Sequence, residues 1–183
     1  LEITTRMLGE HLGVAICSYA DIAADQDHFT IRGDWHRQGS SSIVGHYSLQ
    51  DFGKLAVLRL RQGLPLILSD NVAELPPEDA AAFAAIGVAA TICMPLVKEG
   101  RLTALMAIHD SAPRSWTQNE LALLTEVTER SWAHIERARS DQSAAETAER
   151  LSLATQAAAI GTWDYDPASS RLQWDTQCRA LFG

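Results

Sequence analysis

A chain of 183 residues that is 46% apolar and 21% charged has globular usage, with room for one core of ordinary size and part of a second domain, and it shows no compositional sign of long disorder. Fifteen basic against 23 acidic residues leave a net charge of −8, which disfavours nonspecific contact with nucleic acid or anionic lipid. Cys17, Cys93 and Cys178 are odd in number and widely spaced with no CxxC pair, so neither a disulfide framework nor a zinc site is indicated and a reduced, cytoplasmic compartment is expected.

Residues 3 to 12 predict an amphipathic helix with Ile3, Met7, Leu8 and Leu12 on one side. GVAICSYADI (13–22) reads as a strand. HFTIRGDW (28–35) alternates, with Phe29, Ile31 and Trp35 facing one way and His28, Thr30, Arg32 and Asp34 the other, which predicts a half-exposed partner strand. A glycine-serine loop, GSSSIVGHY, follows. Ser48 with Asp51 three residues on resembles an N-cap opening a helix to Gly63, with Phe52, Ala56 and Leu60 on its core side.

PLILSD is a short strand, and a helix beginning after Pro76 and Pro77 carries Glu78 and Asp79 in its first turn and stops at Gly87. Ala80 to Val97 is free of charge, but Gly87 and Pro95 interrupt it, so a short helix and a buried strand are expected rather than a membrane span. VAATICMPLV and RLTALMAIH form a hairpin about Lys98-Glu99-Gly100.

SWTQNEL is the clearest helix start: Thr117 caps, Glu120 reaches back and Trp116 can staple against Leu121. Little breaks the helix before Gly161, and about forty residues at 1.5 Å each give roughly 60 Å, longer than a small domain is wide. Small residues at three-four spacing (Ala144, Ala148, Leu151, Thr155, Ala158) make a thin seam, readable either as a parallel homodimer contact or as a solvated connector.

This order, without βαβ alternation, predicts an α+β fold: an antiparallel sheet flanked by helices, with a long C-terminal signalling helix. The stretches PLILSDNVAEL, IGVAATICMPLVKEGRLTALMAIHDSAPRSWTQNELALL and ERSWAHIERAR resemble the second half of a GAF domain of bacterial sensor histidine kinases. The segment AERLSLATQAAAIGTWDYDPASSRLQWDTQCRALFG resembles the opening of a PAS domain. The resemblance implies a GAF domain over 1–139, a connecting helix over 140–160 and a truncated PAS start over 161–183.

The hairpin is most similar to that of phytochromes, whose GAF domains hold a bilin over the sheet. On that likeness His109 matches a histidine facing the chromophore, and Thr91 and Cys93 match two hydroxyl-bearing pocket positions. Strand parity puts 91 and 93 on one face and 103, 105, 107 and 109 on one face. The anchoring end departs from the pattern: Asp79, Glu78 and Ala82 stand where a histidine, a linking cysteine and an aromatic residue are found. The expectation is therefore no cofactor, a covalent bilin least of all. Trp35, Tyr47, Phe52 and Met94 could add pocket walls or be plain core. His109 itself either orients a ligand at a cavity mouth or bonds a loop carbonyl beside a collapsed cavity.

No nucleotide loop, nucleophile elbow or HExxH is present. His134 lies among exit-helix residues rather than in a phosphoacceptor box. The expected function is a non-catalytic sensory module of a cytosolic signalling protein, a two-component histidine kinase by resemblance. It would relay the state of a small-molecule ligand or a partner, with no nucleic acid and no membrane insertion. A ligand-free dimerisation scaffold, a tetrapyrrole sensor and a sulfoxide reductase using the cysteines are the alternatives.

Overall fold

A computed structural model describes residues 2–158 and 160–182. The elements are α1 (Glu2–Leu12), β1 (Ile16–Ile22), β2 (His28–His36), β3 (Gly45–Ser48), a 3-10 turn (Leu49–Phe52), α2 (Lys54–Arg61), β4 (Leu66–Leu68), α3 (Asn71–Glu74), α4 (Pro77–Ala85), β5 (Ala90–Lys98), β6 (Arg101–Asp110), α5 (Gln118–Ala157), β7 (Trp163–Asp166), β8 (Arg171–Trp174) and α6 (Thr176–Phe182). They fall into two compact units that divide between Ala133 and His134.

In the first unit six strands form one antiparallel sheet in the order β3-β2-β1-β6-β5-β4. The expected α+β fold with a helix-flanked antiparallel sheet is therefore found. The β5–β6 hairpin turns on Glu99 and Gly100 alone, both at positive φ, the geometry that matches the right-handed twist of the strands. α4 ends as expected at Gly87, whose φ of +72° lets its N–H return to Ala84 O. The charge-free stretch is split between α4 and β5, and among the described residues no helix is long and apolar enough to cross a membrane.

Several local expectations differ from the structure. The buried face of α1 is Thr5, Leu8 and Gly9, while Ile3 and Met7 are exposed, because the helix docks through Gly9 under the Trp35 ring. The expected helix from Ser48 to Gly63 is broken at Gly53, whose φ of +94° separates the 3-10 turn from α2. Ser48 does cap, accepting from Gln50 N, but it caps the 3-10 turn, and the buried Asp27 carboxylate takes the Ser48 hydroxyl and Gln50 N–H. The short α3, capped by Asp70, has no counterpart in the sequence reading. Trp116 has partners that the spacing does not announce: its indole N–H donates to Leu68 O and Arg114 lies 4.9 Å from its ring centroid.

The largest correction lies in β2. Opposite β1, Tyr19 pairs with Gly33 and Ala20 with Ile31, so Arg32 is an extra residue and the strand bulges. Side-chain parity inverts across the bulge: Phe29 and Ile31 face one side of the sheet, and it is Asp34 rather than Trp35 that continues on that side.

In the second unit β7 and β8 pair antiparallel, Trp163 opposite Trp174 and Tyr165 opposite Leu172. Asp175 opens α6 by accepting Cys178 N–H, and its second oxygen takes the N–H and hydroxyl of Thr162.

Candidate functional site

One face of the six-stranded sheet carries Ser18 and Ala20 on β1, Phe29 and Ile31 on β2, Cys93 on β5, and Leu105, Ala107 and His109 on β6. Ala56 and Leu60 of α2, Phe83 of α4 and Ile86 roof it, and about 50 Å³ of free space is left between the layers. Four aromatic rings close one side. Phe29 stacks on Tyr47 at 5.4 Å, and Phe52 meets Phe29 at 5.8 Å and the edge of Phe83 at 5.0 Å.

His109 is the ionisable side chain with acid-base chemistry near neutral pH on this wall. It is 5% exposed, it pairs across the ladder with Thr91, and its Nδ1 lies 3.1 Å from the Thr91 hydroxyl. Burial pushes its pKa down to about 4, against a smaller upward pull from the Asp34 carboxylate. The imidazole is neutral at physiological pH, with one nitrogen committed to Thr91. Such a ring orients a polar atom of a ligand without adding charge to an apolar cavity.

Of the residues expected at the site, His109, Cys93, Tyr47 and Phe52 line the cavity, and Thr91 supports it through His109. Trp35 and Met94 do not line it. The bulge turns Trp35 toward α1, and Met94 lies on the opposite face of β5, where the Thr125 hydroxyl of α5 is 3.9 Å from its sulfur. Cys17 and Cys93 are not on adjacent strands: β6 runs between β1 and β5, and the two thiols belong to opposite faces. Burial pushes both thiols up to about 12, the reverse of what a thiolate nucleophile needs. The His134 side chain lies outside the described residues.

Asp34 is the residue the sequence reading missed. Its side chain is 3% exposed, and its carboxylate accepts the Ile43 N–H at 2.5 Å and the Ser42 hydroxyl at 3.1 Å, with His36 Nδ1 3.2 Å away. Gly33 within a strand was the available signal, since glycine inside a strand often marks a bulge.

The GAF domain family model matches residues 1–135. The chain belongs to the GAF domain family. No curated protein matches the sequence. Among solved structures, the GAF domain is similar to a far-red-absorbing dark state with bound biliverdin IXa, at 16% identity and a TM-score of 0.67 over 75% of this chain and 88% of that one. It is also similar to the blue-light-absorbing form of the PixJ GAF domain of Thermosynechococcus elongatus (19% identity, TM-score 0.69, 81% of this chain and 90% of that one). A third is the photoproduct state of a GAF3 domain from Synechocystis sp. PCC6803 (14% identity, TM-score 0.62, 75% and 91%). At these identities the likeness is one of fold.

The expectation of no cofactor is corrected by these comparisons, since a structure on which this GAF domain superposes holds biliverdin IXa. The three departures, Glu78, Asp79 and Ala82, lie at the anchoring end on α4 and not on the sheet face. The chemistry of that face, apolar and aromatic-edged with one neutral imidazole, fits a conjugated tetrapyrrole. The free space of about 50 Å³ is below the roughly 300–1,000 Å³ of ordinary ligand pockets, so a ligand of that size requires the cavity wall to move.

Proposed function

We propose that this GAF domain is the ligand-sensing part of a signalling protein, and that the ligand is a tetrapyrrole seated against the sheet. The observation that carries this reading is the buried, neutral His109 set into an otherwise apolar and aromatic wall. His109 would hydrogen-bond the ligand, Phe52 and Tyr47 would pack on its rings, and Ala107 and Ala20, short side chains on the sheet, leave its plane room. When bound, a tetrapyrrole supplies a conjugated system that absorbs visible light.

The output belongs to the same reading. We take residues 1–139 as the sensor, 140–160 as connecting helix and 161–183 as the start of a PAS domain, within a cytosolic two-component sensor histidine kinase. The capping box at the start of α5, where Glu120 accepts Thr117 N–H and returns the bond through its own N–H, supports a helix that carries strain from the sheet outward. Ligand state would bias the packing of α1 and α5 on the sheet, to the extent that the two packings differ in ligand affinity. Leu151 is 65% exposed, which supports a homodimer contact through α5.

Mixing the purified protein with biliverdin IXα and separating it on a sizing column tests the ligand. A visible absorbance band that travels with the protein, and is weakened in His109→Ala, is expected. Pigment that elutes apart from the wild-type protein would refute the reading.

A further inference from the structure

We propose that the β2–β3 segment, residues 37–44, is the gate of this cavity, with Ile43 as its plug and the Asp34 carboxylate as its latch. The proposal rests on the reading that the cavity takes a ligand.

The segment hangs between two fixed points. Arg37 N–H is held by Ala15 O, and Gly45 opens the β2–β3 ladder opposite Ile31. Between them runs a stretch of glycine and serine in which Ile43 alone is buried, at 3% exposure, while the next residue, Val44, is 52% exposed. An apolar side chain in so polar a loop is there for the cavity it enters.

Both backbone groups of Ile43 are satisfied by side chains rather than by the sheet. Its N–H donates to Asp34 Oδ2 at 2.5 Å, and its carbonyl accepts the Tyr47 hydroxyl at 2.8 Å. Two side-chain bonds can therefore release the plug without unzipping a strand. Asp34 owes its position to the bulge at Arg32, which turns this carboxylate onto the cavity side of β2.

What lies outside the plug gives it a purpose. A second hollow of about 510 Å³, lined by Ser40, Ser41, Gly87 and Ser111, shares Ile43, Tyr47 and Ile86 with the inner cavity. Those three side chains are the partition. With Ile43 withdrawn, the two hollows join into a space within the range of ordinary ligand pockets, and the shortage of room noted for a tetrapyrrole disappears.

Hydrogen exchange of the full chain, followed by mass spectrometry, reads the gate directly, with biliverdin IXα uptake followed by visible absorbance in parallel. Asp34→Asn and Tyr47→Phe are each expected to speed exchange of the 37–44 segment at least tenfold, with β5 and β6 unchanged, and to speed uptake. Tyr47→Phe removes one hydroxyl and keeps the ring, so it carries the test should Asp34→Asn not fold. Exchange in 37–44 that is unchanged in folded variants would overturn the gate. Accelerated exchange in variants that, like the wild type, take up no biliverdin would uphold the gate and remove the tetrapyrrole reading.

Discussion

Thr91 and His109 face each other across the β5–β6 ladder, and the hydroxyl of one lies 3.1 Å from Nδ1 of the other. The pair sits near the end of the hairpin farthest from its turn, so the β5–β6 ladder fixes the imidazole of the cavity. A buried ring held this way has a measurable signature.

Because burial lowers the folded pKa of His109 to about 4, below its ordinary 6.5, the unfolded chain binds more protons in the window between those values. Stability contributed by this group is complete above pH 6.5 and is lost as pH falls toward 4. Urea unfolding at pH 7.5 and pH 5 should show His109→Gln losing less stability on acidification than the wild type. The difference is of order 2 kcal/mol, from the shift in proton binding. Equal acid sensitivity in both proteins would mean the ring is not buried neutral.

Cys17 and Cys93, each pushed up to about 12 by burial, should resist thiol reagents in the native protein. Reaction with a chromogenic disulfide at pH 8 is expected to leave both unmodified in native conditions and to reach both in guanidinium. Fast native labelling of Cys93 would instead show a thiol open to chemistry on the cavity wall.

Gly9 is the contact point of α1. A Cβ there would fall 2.1 Å from the Trp35 ring, so Gly9→Ala forces the ring or the helix to shift. The gain in helix propensity, about 1 kcal/mol, is expected to be outweighed by overpacking of about 1–3 kcal/mol. Chemical denaturation should therefore show a net loss, whereas an exposed helix would gain.

Arg114 joins three elements: it donates to Leu12 O at the C-terminal end of α1, to Asp110 at the end of β6, and to Glu120 in the first turn of α5. Arg114→Lys keeps the charge but not the planar fork, and a loss of about 1–3 kcal/mol is expected from the charged hydrogen bonds forfeited. Stability unchanged by the substitution would show that the three ends are held independently.

The parts of this fold that were readable in sequence are those decided by neighbours in the chain. Glu99-Gly100 specifies its hairpin, Thr117 and Glu120 their capping box, and Gly87 a helix stop, because each acts over three or four residues. The cavity was readable only in part. His109 and Cys93 follow from strand parity because the one register shift of the hairpin, at Thr103, lies on the turn side of both, whereas Trp35 was misplaced because one extra residue in β2 inverts every side chain after it. Asp34 was hidden by the same bulge. The inner face of α1 was misjudged because Thr5 and Gly9 accompany Leu8 there while Ile3 and Met7 stay exposed, and the ligand question was misjudged from Glu78, Asp79 and Ala82, which lie off the sheet face.

Methyl NMR of the protein titrated with biliverdin IXα tests most directly whether the Thr91–His109 face of the sheet is the binding face. Ile31, Ile43 and Ala107 line that side, while Met94 and Met106 lie on the other. The first three methyl signals are expected to shift and the two methionine signals to stay. Shifts confined to the methionines, or none at all, would contradict it.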